Sequence, residues 1–340
     1  MIAVAVNDEA FARQIPKAEL HLHIEGTLEP ELAFALAERN GVPLRFDSVE
    51  ALREAYDFED LQSFLDLYYE NASVLLERQD FHDLTWAYLE RAKADGVRHA
   101  EIMFDPQTHT DRGVAFATVI GGIGDALARA EPELGISTRL ILCFLRHLSE
   151  ESAFATLEAA RPFLSQITAV GLDSGERGNP PSKFERVFAA AKELGLRRVA
   201  HAGEEGPPAY VVEALDLLDV ERIDHGVRCI EDEALVRRLA AEKVPLTVCP
   251  LSNVRLCVFD SLEHHDLPQL LEAGLVVTIS SDEPPYFGGY VADNYAAVTR
   301  AFGFDRATIV ALAKASFEAS FLDDAAKAEH LAAVDAFAAS

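Results

Sequence analysis

The segment AELHLHIEG, residues 18–26, alternates apolar and ionisable side chains, as a β-strand with polar residues at its carboxyl end does. Further short apolar runs, rich in β-branched residues, occupy 97–106, 137–146, 167–176, 197–204, 221–227, 245–253 and 276–284. Amphipathic stretches lie between the later runs and predict helices, for example at 154–163, 182–195 and 233–243. Eight strand–helix repeats predict an α/β fold, a closed parallel (β/α)8 TIM barrel.

A doubly wound open sheet is the alternative fold. It requires a glycine-rich turn after the first strand, and HLHIEGTLEP (21–30) is not such a turn. About 70 residues separate the first two strands, which predicts a helical insertion at about 27–96, with helical patterns at 60–76 and 81–96. On the catalytic face of a barrel this insertion is either a lid or a packing rim. Further helices are expected after strand eight, and no linker divides residues 1–340, so we expect one domain.

Composition limits the classes of partner. The 340 residues include Lys+Arg 30 and Asp+Glu 57, a formal charge of −27, which repels nucleic acid and anionic membrane surfaces. Hydrophobic residues at 49% and charged residues at 26% are ordinary for a globular protein. The cysteines show no C-x-x-C spacing and are expected to be buried, reduced thiols. The N-terminus lacks signal-peptide features and no stretch resembles a membrane helix, so we expect a cytoplasmic protein.

Ionisable residues lie towards the carboxyl ends of several predicted strands, which meet at one mouth of a barrel. His21 and His23 are two residues apart in a strand, so both imidazoles point to the same side. Together with His201 and Asp282 they offer three nitrogens and one oxygen, a set suited to zinc. A single histidine is more often structural, but four such residues at strand ends favour a metal site. We expect the remaining histidines to be structural or solvated: His82, His99, His109, His147, His264, His265 and His330.

Two further residues fit chemistry beside a metal. Zinc lowers the pKa of its water towards about 7, which makes hydroxide available at neutral pH. Glu204 follows His201 by three residues and can carry protons to a substrate, although a surface glutamate of the HAGEEG loop is the alternative. His225, at the end of strand six, can hold or polarise the hydroxide; otherwise it is a histidine bonded to the backbone. These residues predict metal-assisted hydrolysis at a barrel mouth.

The motifs PKAELHLHIEG, HAGEEG, ERIDHG, CPLSN and SDEP, in this order, resemble the adenosine/adenine deaminases of the amidohydrolase superfamily from Pro16 to about Tyr290. The segments EGTLEPEL, FDPQTHTDRG, FLRHLSEE and CPLSNVRLCVF are similar to the adenine deaminase branch. This resemblance implies zinc-dependent hydrolytic deamination of adenine to hypoxanthine and ammonia, a step of purine salvage.

The resemblance also implies roles for individual residues. One zinc would be bound by three histidines and an aspartate. Glu204 would deliver a proton to purine N1 as hydroxide attacks C6. His225 would stabilise that hydroxide, and Asp282 would accept its proton. The zinc ligands would be His21, His23, His201 and Asp282.

Three positions depart from the family pattern. The family usually has Asp-Asp-Pro, whose second aspartate contacts purine N7, where this chain has Asp282-Glu283-Pro284. The longer Glu283 leaves N6-substituted adenines as an alternative substrate. Glu25 stands where adenosine deaminases usually have an aspartate that contacts ribose, which favours the free base, with adenosine as the alternative. Gly175 is a smaller difference, in the loop that would approach the ring near N3.

Other classes of protein fit less well. A two-metal hydrolase of the dihydroorotase or phosphotriesterase kind needs a modified lysine at the end of strand four, but the nearest is Lys183, inside the next helix pattern. A cytidine-deaminase type of site needs P-C-x-x-C, and Cys249-Pro250 has the reverse order. A non-catalytic purine-binding barrel would lack a ligand or Glu204, and none is missing. The expected partner is therefore a small-molecule purine base, with the oligomeric state left open.

Overall fold

A computed structural model describes residues 2–340, and side chains are described from residue 8 onward; Met1 and the side chains of the next six residues of the N-terminal segment lie outside the described part. The described chain forms one sheet of eight parallel strands in sequence order. These strands form a nearly closed barrel, which confirms the predicted (β/α)8 fold. The strands are β1 (Lys17–Glu19), β2 (Val97–Phe104), β3 (Ser137–Leu145), β4 (Ala169–Asp173), β5 (Arg197–Ala202), β6 (Arg222–His225), β7 (Pro245–Val248) and β8 (Val276–Ile279).

Helices surround the barrel. The predicted insertion holds α2 to α5 between β1 and β2, and α14 to α17 follow β8, so both expected additions to the barrel are present. The helices are α1 (Ile2–Gln14), α2 (Pro30–Asn40), α3 (Val49–Glu54), α4 (Leu61–Ala72), α5 (Arg78–Ala94), α6 (Pro106–Thr110), α7 (Phe116–Arg129), α8 (Glu150–Ala160), α9 (Glu185–Glu193), α10 (Pro208–Asp216), α11 (Glu233–Glu242), α12 (Pro250–Arg255), α13 (Leu267–Glu272), α14 (Pro284–Phe287), α15 (Val291–Phe302), α16 (Arg306–Glu318) and α17 (Asp324–Ala338). None of the helices in the described range is long and apolar enough to cross a membrane.

The seam between β8 and β1 closes just beyond the ends of these strands. Leu22 and Asp282 form an isolated parallel bridge. The His23 N–H donates to the Asp282 carbonyl at 3.2 Å, and the Asp282 N–H donates to the His21 carbonyl at 3.2 Å. The seam therefore fixes three of the four predicted metal ligands beside one another.

Several strands are shorter than their apolar runs. The run at 245–253 leaves the strand after Val248, and the run at 276–284 leaves it after Ile279. Pro250 and Pro284 are the first residues of α12 and α14. Proline has no N–H for a strand ladder but suits the first turn of a helix, so the predicted strands were wrong beyond these points.

A buried ion pair lies inside the barrel. Arg222 of β6 donates to the Glu101 carboxylate of β2 at 2.7 Å, and both side chains are inaccessible to solvent. The Phe321 N–H also donates to Glu101, and the Phe321 ring lies 4.6 Å from the Arg222 guanidinium. Although burial raises the pKa of Glu101, Arg222 lowers it to about 2, so the carboxylate stays charged.

Replacing Arg222 by Met is expected to lower the free energy of unfolding by about 3–5 kcal/mol, because it leaves the Glu101 charge buried without its partner. Urea denaturation measures this loss. The matched control Arg237→Met breaks an exposed pair with Glu233 and is expected to cost about 0–1 kcal/mol. The Glu101–Arg222 pair contributes to the free energy of unfolding above the usual glutamate pKa of 4.5. This contribution should disappear as pH falls towards 2. A loss below about 1 kcal/mol at pH 7 would contradict this account.

Candidate active site

The four predicted metal ligands meet at the mouth of the barrel. One ligand atom from each residue lies within 4.8 Å of the others. His23 Nε2 is 3.1 Å from His201 Nε2, and His21 Nε2 is 3.2 Å from Asp282 Oδ1. Four ligands about 2.0–2.1 Å from a zinc ion, at the corners of a tetrahedron, lie roughly 3.3 Å apart. Two of the separations match this spacing, and all four donor atoms are close enough to share one such ion.

The hydrogen bonds of His21 leave its inner nitrogen free to bind a metal. The Thr247 hydroxyl donates to Asp224 Oδ1 at 2.9 Å, so its oxygen accepts from His21 Nδ1 at 3.0 Å. With the proton on Nδ1, His21 Nε2 carries a lone pair, and this buried atom has no hydrogen-bond partner among the described residues. An unpaired lone pair facing two imidazoles and a carboxylate fits a bound cation.

Carboxylates stand behind the other two histidines. Asp173 Oδ2 lies 3.4 Å from His23 Nδ1, and Asp224 Oδ2 lies 3.6 Å from His201 Nδ1. Burial, reinforced by neighbouring His201, lowers the pKa of His23 to about 3, so the imidazole is neutral as a ligand must be. Outer carboxylates of this kind orient ligand histidines and fix the proton on the outer nitrogen.

Sequence reasoning did not assign these outer residues. Asp173 ends β4, Asp224 is the penultimate residue of β6, and Thr247 lies in β7; all three are buried. The only signal for these residues in the sequence was a polar side chain near the end of an otherwise apolar strand. This signal does not show which histidine the side chain contacts.

The structure places Glu204 and His225 next to the four-residue cluster. Glu204 follows β5 and is 3% exposed, and its Oε1 has no hydrogen-bond partner in the part of the chain that the structure describes. His225 Nε2 lies 3.6 Å from Glu204 Oε1 and 3.7 Å from Asp282 Oδ2. Burial and the charge of nearby Asp282 raise the pKa of Glu204 well above its usual range, which suits a group that holds a proton at neutral pH.

Glu176 fixes the turn that carries Glu204. Its Oε1 accepts the Gly203 N–H at 2.7 Å, and its Oε2 accepts the next three main-chain N–H groups at 2.7–3.1 Å. A Cβ at Gly206 would collide with this carboxylate, so glycine is required there. Successive N–H groups around one anion form a rigid nest, which holds Glu204 in place. Gly175, just before Glu176, lies at the outer rim near Leu65.

Two site residues adopt backbone conformations that glycine usually takes. His225 has φ 60° and Asp282 has φ 67°, both in the left-handed region. Such conformations cost on the order of 1–3 kcal/mol each and persist where the surrounding structure imposes them, often at functional sites. Here the seam between β8 and β1 constrains the backbone of Asp282, and the end of β6 constrains that of His225.

A cavity lies over the cluster at the mouth of the barrel. Glu283 lines it and is 7% exposed. A Cβ at Gly26 would overlap the Glu283 side chain, so Gly26 leaves the space that the longer acid occupies. Burial and adjacent Asp282 raise the pKa of Glu283 well above its usual range. The insertion supplies one wall of the cavity through the α4 side chains Leu61, Phe64, Leu65, Tyr68 and Tyr69.

Glu25 is buried and contacts residues beyond the end of β2. It is not among the described residues that line the cavity. Its Oε1 accepts from His109 Nε2 at 2.9 Å and from the Asp105 N–H at 3.1 Å. Arg112 contacts His109 Nδ1 and donates to three carbonyls at the end of α4. Glu25 is therefore linked through His109 and Arg112 to the end of α4.

The barrel and the cluster at its mouth define a metal-dependent hydrolase of the amidohydrolase superfamily. The profile of the family described as Adenosine deaminase matches residues 16–337, and the chain belongs to this family. An adenine deaminase of Paraburkholderia xenovorans is 63% identical over 325 residues, covering 94% of this chain and 93% of that protein.

Two solved structures agree with this assignment. The crystal structure of adenine deaminase from Arthrobacter aurescens is 57% identical and superposes with a TM-score of 0.95, covering 96% of this chain and 100% of that chain. An amidohydrolase from Burkholderia ambifaria with bound Zn is 26% identical with a TM-score of 0.87, covering 98% and 95%.

Proposed function

We propose that this protein catalyses the hydrolytic deamination of adenine to hypoxanthine and ammonia, with one zinc ion per chain. The observation that carries the proposal is the convergence of four ligand atoms within 4.8 Å of one another beside Glu204. The proposed ligands are His21, His23, His201 and Asp282. The names of the Paraburkholderia and Arthrobacter relatives support adenine as substrate, and the bound Zn of the Burkholderia structure supports the metal.

Each residue near the cluster then has a chemical task. Bound zinc supplies hydroxide at neutral pH. Glu204, whose raised pKa keeps it protonated, delivers a proton to purine N1 as the oxygen nucleophile attacks C6. Asp282 accepts the proton of the nucleophile at Oδ2, the oxygen to which the Ser252 hydroxyl donates at 2.6 Å. His225 holds the attacking oxygen between Glu204 and Asp282. Asp282 then passes the proton it accepted to the amino group, and ammonia leaves as the C6–N bond breaks.

Glu283 would contact purine N7. This ring nitrogen is an acceptor, and the raised pKa of Glu283 keeps a proton on the carboxyl group to donate to it. The longer side chain also favours N6-substituted adenines as the second candidate substrates, because it changes the wall beside the ring.

Replacing Glu283 by Asp is expected to lower kcat/KM for adenine about 10-fold, because the shorter acid retreats from N7 and leaves space beside Gly26. The ratio of kcat/KM for adenine to that for N6-methyladenine should change as well. Steady-state assays of ammonia and methylamine release measure both values, with Glu283→Gln as the control that keeps the length. An unchanged ratio would show that Glu283 does not set specificity.

We further propose that residues 1–340 form one hydrolase domain that acts in purine salvage in the cytoplasm. The family match over 16–337 and the barrel strands between Lys17 and Ile279 support one domain. The charge of −27 supports a small-molecule purine base, rather than nucleic acid or membrane, as partner.

Product analysis tests the proposed activity. Zinc-loaded protein incubated with adenine should release hypoxanthine and ammonia in equal amounts. Adenine incubated without protein serves as the control for non-enzymatic release. Adenine binding without either product would instead indicate the non-catalytic purine-binding barrel.

A further inference from the structure

A chain of buried hydrogen bonds runs behind His225, on the side away from the cavity. Asn253 Nδ2 lies 3.3 Å from His225 Nδ1, and His265 Nε2 lies 3.1 Å from Asn253 Oδ1. The Leu267 N–H donates to His265 Nδ1 at 3.0 Å. His225, Asn253 and His265 are all at most 2% exposed, so solvent does not compete for these bonds.

The direction of every bond follows from the main-chain group at its end. A backbone N–H can only donate, so His265 Nδ1 accepts and the proton of the neutral ring is on Nε2. Burial lowers the pKa of His265 to about 4, so the ring is neutral at pH 7. The His265 Nε2–H requires an acceptor, which turns the Asn253 oxygen towards it.

The orientation of Asn253 then decides the state of His225. With its oxygen facing His265, the Asn253 amide directs an N–H at His225 Nδ1. That nitrogen accepts, so a neutral His225 carries its proton on Nε2. His225 Nε2 faces two oxygens, Glu204 Oε1 at 3.6 Å and Asp282 Oδ2 at 3.7 Å, and an N–H suits such a position.

We propose that His265 is a positioning residue that, through Asn253, fixes His225 in the tautomer with its proton on Nε2. His225 thus offers the attacking oxygen a hydrogen-bond donor and cannot act as the base that deprotonates it. This inference rests on the proposed function and assigns the proton of the nucleophile to Asp282 alone.

Three variants test the proposed role of the hydrogen bonds that join His265 through Asn253 to His225. Asn253→Asp keeps the shape but offers acceptors to both histidines, so it should move the His225 proton to Nδ1. We expect kcat to fall about 10²–10⁴-fold, as for a catalytic histidine held in the wrong tautomer, while KM stays within about threefold. His265→Leu removes the donor and frees the amide to rotate, and should lower kcat in proportion to the fraction of His225 that loses its Nε2–H. His265→Gln restores an N–H donor and should recover kcat to within about threefold of the wild type.

Nitrogen NMR provides the readout that a merely structural role would not change. In zinc-loaded full-length protein labelled with ¹⁵N-histidine, long-range ¹⁵N–¹H correlations report which ring nitrogen of His225 bears the proton. We expect Nε2–H in the wild type and His265→Gln, Nδ1–H in Asn253→Asp, and a mixture in His265→Leu, with one zinc in each.

The proposal is overturned if wild-type His225 carries its proton on Nδ1. It is also overturned if His265→Leu keeps wild-type kcat and a single Nε2–H tautomer. If Asn253→Asp does not fold, the wild-type spectrum and the comparison of His265→Leu with His265→Gln still test the proposed role of His265. The ratio of variant to wild-type kcat is measured on whichever purine base the protein turns over. A failure of adenine as substrate is therefore distinguishable from a failure of the proposed role of His265.

Discussion

Glu204→Gln is expected to lower kcat for adenine by about 10²–10⁴-fold while the protein keeps one zinc ion per chain. The amide has nearly the shape of the acid but holds no transferable proton, so purine N1 is not protonated as C6 is attacked. Because Glu204 is not among the four converging ligands, its replacement leaves the metal site intact. Steady-state ammonia release and elemental analysis of the same sample measure the two quantities.

The neighbouring Glu205 supplies a matched control. It lies in the same turn, but its side chain pairs with Arg177 at 3.1 Å and lines only the outer rim. Glu205→Gln is expected to keep kcat within about twofold, since Glu205 does not line the cavity over the four proposed ligands. A loss below tenfold for Glu204→Gln would assign proton transfer to another residue.

His23→Ala is expected to abolish metal content and activity together. The substitution removes a proposed ligand, whose Nε2 lies 3.1 Å from that of His201, and leaves three donors for the ion. Without the metal no hydroxide is available at neutral pH, so turnover should fall below detection. Elemental analysis after dialysis and an ammonia assay with added zinc measure the two effects.

The control for this substitution is His264→Ala, which removes a histidine that is 72% exposed and outside the cluster. It is expected to keep both zinc and kcat. A His23→Ala protein that is active without metal would contradict the assigned ligand set.

The fold was largely predictable because buried parallel strands leave continuous apolar runs in the sequence. Their ends were not predictable to the residue. Cys249 and Ser281 continue the apolar or small-residue pattern beyond the last strand residues. Only the structure shows that helices begin at Pro250 and Pro284.

The inner site was predictable from polar residues at the ends of apolar strands. The roles of the carboxylates behind the histidines were not predictable, because they depend on which ring nitrogen each carboxylate faces. Asp173 and Asp224 are two acids among Asp+Glu 57, and nothing in the sequence pairs them with particular histidines. His265 was expected to be structural, and its link to His225 depends on a bond through Asn253. The contact between Glu25 and His109 was not predictable for the same reason, since the two residues are distant in sequence.

The most direct test of the proposed function is a comparison of kcat/KM values for zinc-loaded protein. The substrates are adenine, N6-methyladenine, N6-isopentenyladenine, adenosine and guanine, with ammonia and amine release followed separately. We expect adenine to be turned over with kcat/KM of about 10⁴ M⁻¹s⁻¹ or above and to exceed every other substrate. Weak turnover of adenine beside strong release from an N6-substituted base or from adenosine would contradict adenine as the substrate.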